Sequence, residues 1–222
     1  MKNLRLVLCL FTLAALAPFF VVKAQFSPNT VSYSVVSENN SNWYTVWVHP
    51  NYGTPNNYNG RITEFVFTAQ VSLKVPKEFS ISNISDIRCT WEKNPRKVGD
   101  PYVEKALLNE TYDSTARYYS IGMSPGCDVD NFTKGDSIPL FKFQGNEFAD
   151  LDILPNNDPF IQIAWNTLSL NVACSFYSLS GQPRGESSIP LEQFADKKLR
   201  QSYSWKAVSG SEIHSNSSDG KN

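Results

Sequence analysis

The oxygen-rich acids of this chain are its residues best suited to chemistry. Asp128, Asp130, Asn131 and Asp136 fall within one short stretch, Cys127-Asp128-Val129-Asp130-Asn131-Phe132-Thr133-Lys134-Gly135-Asp136. Calcium takes about six to eight hard oxygen ligands from a flexible segment, so the stretch is a candidate structural calcium loop. Its spacing is not that of an EF-hand, and Lys134 opposes a cation. The pairs Asp128/Asp130 and Asp150/Asp152 are each spaced by two, which puts both members on one face of a strand. Paired carboxylates across a cleft are what glycoside hydrolysis needs. The competing reading of all these acids is a solvated, Asx-rich turn.

Aromatic residues supply the second set of candidates. In Trp43-Tyr44-Thr45-Val46-Trp47-Val48-His49, strand alternation puts Trp43 and Trp47 on one face and Tyr44, Val46 and Val48 on the other. One face must be core. If it is the tyrosine–valine face, the two tryptophans line an exposed sheet surface and can stack on sugar rings; otherwise they are core themselves. Tyr52 and Tyr58, in the loop that follows, extend the candidate ligand-binding set.

Catalytic signatures are scarce, and no catalytic residue is assigned. The histidines are His49, before Pro50, and His214, in a polar C-terminal stretch. No Gly-rich phosphate loop, Cys-x-x-Cys pair, His-x-x-x-His spacing or nucleophile motif is present. Asn-x-Ser/Thr triplets begin at Asn39, Asn83, Asn109, Asn131 and Asn216, as an Asn- and Ser-rich chain produces by chance.

The elements that must position these groups read as strands. Phe65, Phe67, Ala69, Val71, Leu73 and Val75 alternate with polar residues until Pro76, the pattern of a half-buried antiparallel strand. Leu168, Leu170, Val172 and Cys174 repeat it, as do Pro139, Phe141 and Phe143 over a shorter span. Further strands are expected at 31–36, 43–49, 79–84, 87–91 and 117–123, separated by Asn/Gly/Pro turns. The prediction is an all-β chain: a single antiparallel β-sandwich over residues 25–205. Its core includes Phe65, Phe67, Val71, Leu73, Phe141, Phe143, Leu168, Leu170 and Val172. One short C-terminal helix is expected at 190–200, with Leu191, Phe194, Ala195 and Leu199 on one stripe. A helical turn is also read at 102–109, and 206–222 reads as a disordered polar tail.

Residues 1–24 have the form of a secretory signal peptide. Lys2 and Arg5 precede an apolar run from Leu6 to Val22, and Val22-Lys23-Ala24 supplies the small residues of a cleavage site. Its removal takes away three of the 20 basic residues and none of the 21 acids, leaving a net charge of −4. That balance argues against nucleic acid and against an anionic membrane surface as partners. No second apolar run reaches spanning length, so no membrane insertion is expected after cleavage. The expected location is secreted, extracellular or at the cell surface, with the periplasm as a variant. There Cys89, Cys127 and Cys174 can form at most one intramolecular bridge, its pairing open, and none is expected to bind metal or act in catalysis. Cys174 and Cys89 are in phase with apolar neighbours and are expected to point inward.

Between Trp43 and Pro76, a Tyr-Thr-Val-Trp-Val strand leads through an Asn/Gly/Pro loop to Phe-Thr-Ala-Gln-Val-Ser-Leu-Lys-Val-Pro. Later come Gly135-Asp136-Ser137-Ile138-Pro139-Leu140-Phe141-Lys142-Phe143, Asn157-Asp158-Pro159-Phe160 and Leu168-Ser169-Leu170-Asn171-Val172. This layout resembles secreted bacterial β-sandwich modules of the cohesin-like and carbohydrate-binding superfamily found in surface adhesins. The resemblance implies a binding module for adhesion or extracellular matrix assembly, with a glycan or protein ligand; no family site residue transfers with it. The alternatives are a secreted carbohydrate-active hydrolase using the paired aspartates, or a structural subunit of an extracellular assembly.

Overall fold

The computed structural model describes residues 29–98 and 113–181. The leader, the 102–109 turn, the 190–200 helix and the tail expected from the sequence lie outside these residues. Two antiparallel sheets face each other. The four-stranded sheet has the order β1 (Val31–Ser37), β2 (Trp43–Pro50), β8 (Ile138–Gly145), β4 (Ile81–Asp86). The six-stranded sheet is organised on β3 (Thr63–Pro76), with β10 (Ser175–Ser178) on one side and β6 (Ala116–Gly122) then β5 (Arg96–Val98) on the other; β7 (Cys127–Asn131) and β9 (Asp152–Ile153) also pair with β3. The expected all-β, sandwich-like class is what the chain adopts.

The main core lies between the sheets. Val31, Tyr33, Val35, Tyr44, Val46, Val48, Phe141 and Phe143 meet Val66, Ala69, Val71, Leu73, Tyr119 and Ile121 from the opposite layer, all buried. Tyr44 stacks on Phe143 with ring centroids 5.1 Å apart, and Trp91 packs on Phe141 at 4.6 Å. A second apolar cluster lies outside the six-stranded sheet, where the helix α1 (Pro159–Leu168) covers Val98, Ala116 and Tyr118 with Phe160 and Ala164.

Four departures from the sequence reading have physical causes. In the β3–β10 pair Tyr177 faces Thr68 and Ser178 faces Val66, so Phe67 is an extra residue, a β-bulge. The bulge reverses the phase of the strand. Ala69, Val71, Leu73 and Val75 point inward as expected, but upstream Glu64 and Val66 are the buried residues. Phe65 is only partly buried and Phe67 is 49% exposed, so neither is a core residue of the kind expected. In β8, Val46 faces Phe141 and Trp47 faces Pro139, leaving Leu140 as an extra residue; Ile138, Leu140, Phe141 and Phe143 are all buried.

The stretch 168–174 is not a strand. Asp158 caps α1 by accepting a hydrogen bond from the Phe160 N–H, and Pro159 occupies the first helical turn. Ser169, at φ 53°, ends the helix in the left-handed region, with its N–H on the Trp165 carbonyl. Leu168 and Leu170 are then partly buried, and Val172 fully buried, in the outer cluster, while Cys174 alone reaches the main core. The helix of the described residues is therefore this one. Residues 87–91 also leave the strand pattern: Cys89 has φ 63°, and only Trp91 forms a bridge, to Met123.

Candidate functional site

The outer face of the four-stranded sheet carries the tryptophan pair. Tyr44, Val46 and Val48 are buried, so Trp43, Thr45, Trp47 and His49 point away from the core. Trp43 lies opposite Gln144, Thr45 opposite Lys142 and Val36, and Trp47 between Ser34 and Pro139. Both tryptophans are partly buried by these neighbours. Four residues along an extended strand set the two indoles about 13 Å apart along β2.

Polar groups are fixed between and beside the rings. Thr45 donates to Glu38 Oε1 at 2.7 Å, and Lys142 Nζ lies 2.6 Å from the same oxygen. Partial burial pushes the Glu38 carboxyl upward, but the bonds from Lys142 and Thr45 outweigh it and hold the group below its usual range. His49 has Nε2 2.8 Å from Ser34 Oγ and Nδ1 3.1 Å from Ser137 Oγ. Burial pushes its imidazole down to about 4, against a backbone hydrogen bond at Asp136 that pulls the other way. His49 is therefore a neutral ring joining three segments. Its low basicity makes it a poor proton acceptor for the Ser34 hydroxyl, despite their contact. Indole faces flanked by fixed hydroxyl, carboxylate, ammonium and amide groups can stack on a ring and hydrogen-bond to its substituents.

The remaining aromatic candidates lie in the loop after β2. Tyr52 is buried, with its ring 5.6 Å from that of Phe132. Tyr58 is exposed in the loop, where its N–H bonds Asn56 Oδ1.

The acids around β7 are taken up by protein partners. Asp128 accepts from Arg61 at 2.8 Å and Thr63 at 3.0 Å; Asp130 accepts from Arg88 Nε at 2.8 Å. The Asn131 N–H bonds Asp130 Oδ1, and Asp136 caps its own turn through the Thr133 N–H. The oxygens expected to converge on calcium are thus spread along a strand and the turn after it. Among the described residues, no three His, Cys, Asp or Glu side chains come together as a metal site. Asp150 and Asp152 are exposed, the first in the loop before β9 and the second on β9 itself.

Sequence reasoning missed a second surface. The bulge at Phe67 leaves Phe65 and Phe67 edge to face on the outside of the six-stranded sheet, centroids 5.3 Å apart. Arg61 lies over the Phe65 ring at 5.2 Å while binding Asp128. Nothing in the alternation of β3 signals this, because the bulge is set by pairing with β10. The Cys89–Cys127 disulfide lies beside it, since Cys127 faces Val66 on β3, and Cys174 is a buried free thiol. One bridge and an inward Cys174 agree with expectation. Searches against protein families, curated proteins and solved structures find no match to this chain.

Proposed function

We propose that this chain is an extracellular binding module of the kind used in adhesion or matrix assembly, and that its ligand is a glycan lying along β2. The observation that carries this reading is the outward placement of Trp43 and Trp47, each partly exposed, on one strand, with Thr45, Glu38, Lys142 and Gln144 between and beside them. The secretory leader read in the sequence and the resemblance to β-sandwich adhesion modules support the same reading. The engagement of Asp128 and Asp130 by arginines favours binding over hydrolysis.

A polysaccharide panel tests it. Retention on one or more glycans, without release of soluble sugar, is the expected result, with retention reduced at least tenfold by Trp43→Ala or Trp47→Ala. Sugar release that disappears on Asp128→Asn or Asp150→Asn favours the hydrolase instead. A second reading, docking of a protein partner, is favoured by exposed Phe67 and the partly buried Phe65 beside it. Binding to a matrix protein that is lost in Phe67→Asp and kept in Trp47→Ala selects it.

A further inference from the structure

The four strands of the tryptophan sheet carry two charged side chains, Lys142 on β8 and Asp86 on β4, beside the neutral ring of His49. Asp86 is taken up at its own edge, where its Oδ1 accepts from the Trp91 N–H at 3.0 Å and from Lys93 Nζ. Arg88, just beyond β4, is bound to Asp130 and to the Pro139 carbonyl at 3.0 Å. Lys142 is thus the cation that decides the charge of the face between the indoles.

Its place is central. Lys142 lies opposite Thr45, the residue midway between Trp43 and Trp47 on β2. Glu38, one residue beyond β1, reaches across the same row, and its Oε1 takes the bonds of both Thr45 and Lys142. The Glu38 and Lys142 side chains are 36% and 41% exposed, so a ligand on the face reaches both. An ion pair this open adds little to stability, and its consequence is for recognition. Gln144, opposite Trp43, adds an uncharged amide whose Oε1 accepts from Asn83 at 2.7 Å. The row between the tryptophans therefore offers hydrogen bonds without a net charge.

We infer that Glu38 sets the ligand class of this face: by neutralising Lys142 between the two tryptophans, it selects neutral glycans over those built from uronate or sulfate units. The inference rests on the glycan-binding reading proposed above. A uronate carboxylate placed over Thr45 meets Lys142 and Glu38 at comparable distances, so attraction to one is offset by repulsion from the other. The hydroxyls of an uncharged sugar donate to Glu38 and accept from Lys142, and bonds to ionised partners are stronger than those between neutral groups. Glu38 stays ionised near neutral pH, because the bonds from Lys142 and Thr45 hold its carboxyl below the usual range. Discrimination of this kind needs a group that repels the wrong ligand as well as groups that attract the right one.

Affinity electrophoresis tests this, with the protein run at low and high salt through gels holding neutral glucan, mannan or xylan, or polygalacturonate or alginate. The parent should bind a neutral polymer equally at both salt levels, and the polyuronates at least tenfold more weakly. Glu38→Gln, which keeps an acceptor for Thr45, should raise polyuronate affinity at least fivefold at low salt and not at high salt. Glu38→Gln/Lys142→Met should abolish that gain, which a merely structural role for Glu38 does not predict. A parent that prefers polyuronate, or a Glu38→Gln variant without the gain, overturns the role of Glu38 and leaves the glycan reading standing. Retardation by none of the polymers, or retardation that survives both Trp43→Ala and Trp47→Ala, overturns the reading and the inference together. Glu38→Ala, read the same way, replaces Glu38→Gln if that variant fails to fold.

Discussion

Phe65 and Phe67 meet edge to face on the outside of their sheet, although both carry the phase of an interior residue in the sequence. The residue count across β10 explains the contact: Phe67 has no opposite number, and everything upstream is turned over. Phe67→Thr should therefore cost less than about 1 kcal/mol, the scale of a lost surface ring contact. Phe143→Ala, which empties a stacked interior site, should cost about 3–5 kcal/mol. Urea denaturation of the two variants decides it; comparable losses would return Phe67 to the core.

A stacking contact lies at the centre of the outer helix's packing. The Tyr118 and Phe160 rings lie 3.7 Å apart and 4° from parallel, joining α1 to β6. Removing the ring with Phe160→Ala should cost about 3–5 kcal/mol. Asp158→Ala removes the helix cap and should cost about 1 kcal/mol. Thermal unfolding of both variants should preserve that order, and a more damaging cap substitution would contradict it.

Much of the fold was legible because burial on one side of a strand leaves a period of two. Residues 31–36, 43–49 and 117–123 fall within or one residue beyond β1, β2 and β6. What was not legible arises from pairing. The bulges at Phe67 and Leu140 are set by partners more than ninety residues away in sequence, and they change which face is wet without changing any local residue. The helix at Pro159 had a readable start in Asp158-Pro159, but the leucines after it alternate like a strand because they line the outer cluster. At the candidate site, alternation paired Trp43 with Trp47 and the loop that follows added Tyr52 and Tyr58; the tryptophans do share an outward face, but the loop turns Tyr52 inside, which alternation along β2 does not reach.

Acid should weaken the protein through His49. Its folded value of about 4 lies below the ordinary 6.5, so the folded state favours the neutral ring. The resulting stability is complete above about pH 6.5 and is lost as pH falls toward 4. Between about pH 7 and pH 5 the loss should reach about 2 kcal/mol. His49→Gln should flatten this part of the profile, as followed by urea midpoints across the range. The Glu38 carboxyl, whose value is lowered, contributes only below its own ordinary 4.5 and so does not confuse the window. An unchanged slope in His49→Gln would assign the effect elsewhere.

The cysteines should divide cleanly. Cys89 and Cys127 close a loop across a separation of 38 residues, which by the chain-entropy relation stabilises the fold by about 4 kcal/mol. Cys89→Ser/Cys127→Ser should lower stability by that order while leaving far-ultraviolet circular dichroism unchanged under native conditions. Cys174, buried, should resist thiol reagents until the protein unfolds. Peptide mapping of a native labelling reaction that finds Cys174 modified would contradict its placement.

The same bridge decides how the molecule answers tension. Cys89 follows β4 of one sheet and Cys127 begins β7 of the other, so the two layers are covalently joined where they meet. β5 and β6 fall between the cysteines along the chain and are bypassed by a pull applied at the two ends. About 130 Å of contour length stays hidden until the disulfide is reduced. A tether built this way extends in two stages, the second under chemical control, so reducing conditions would set its reach at a given force.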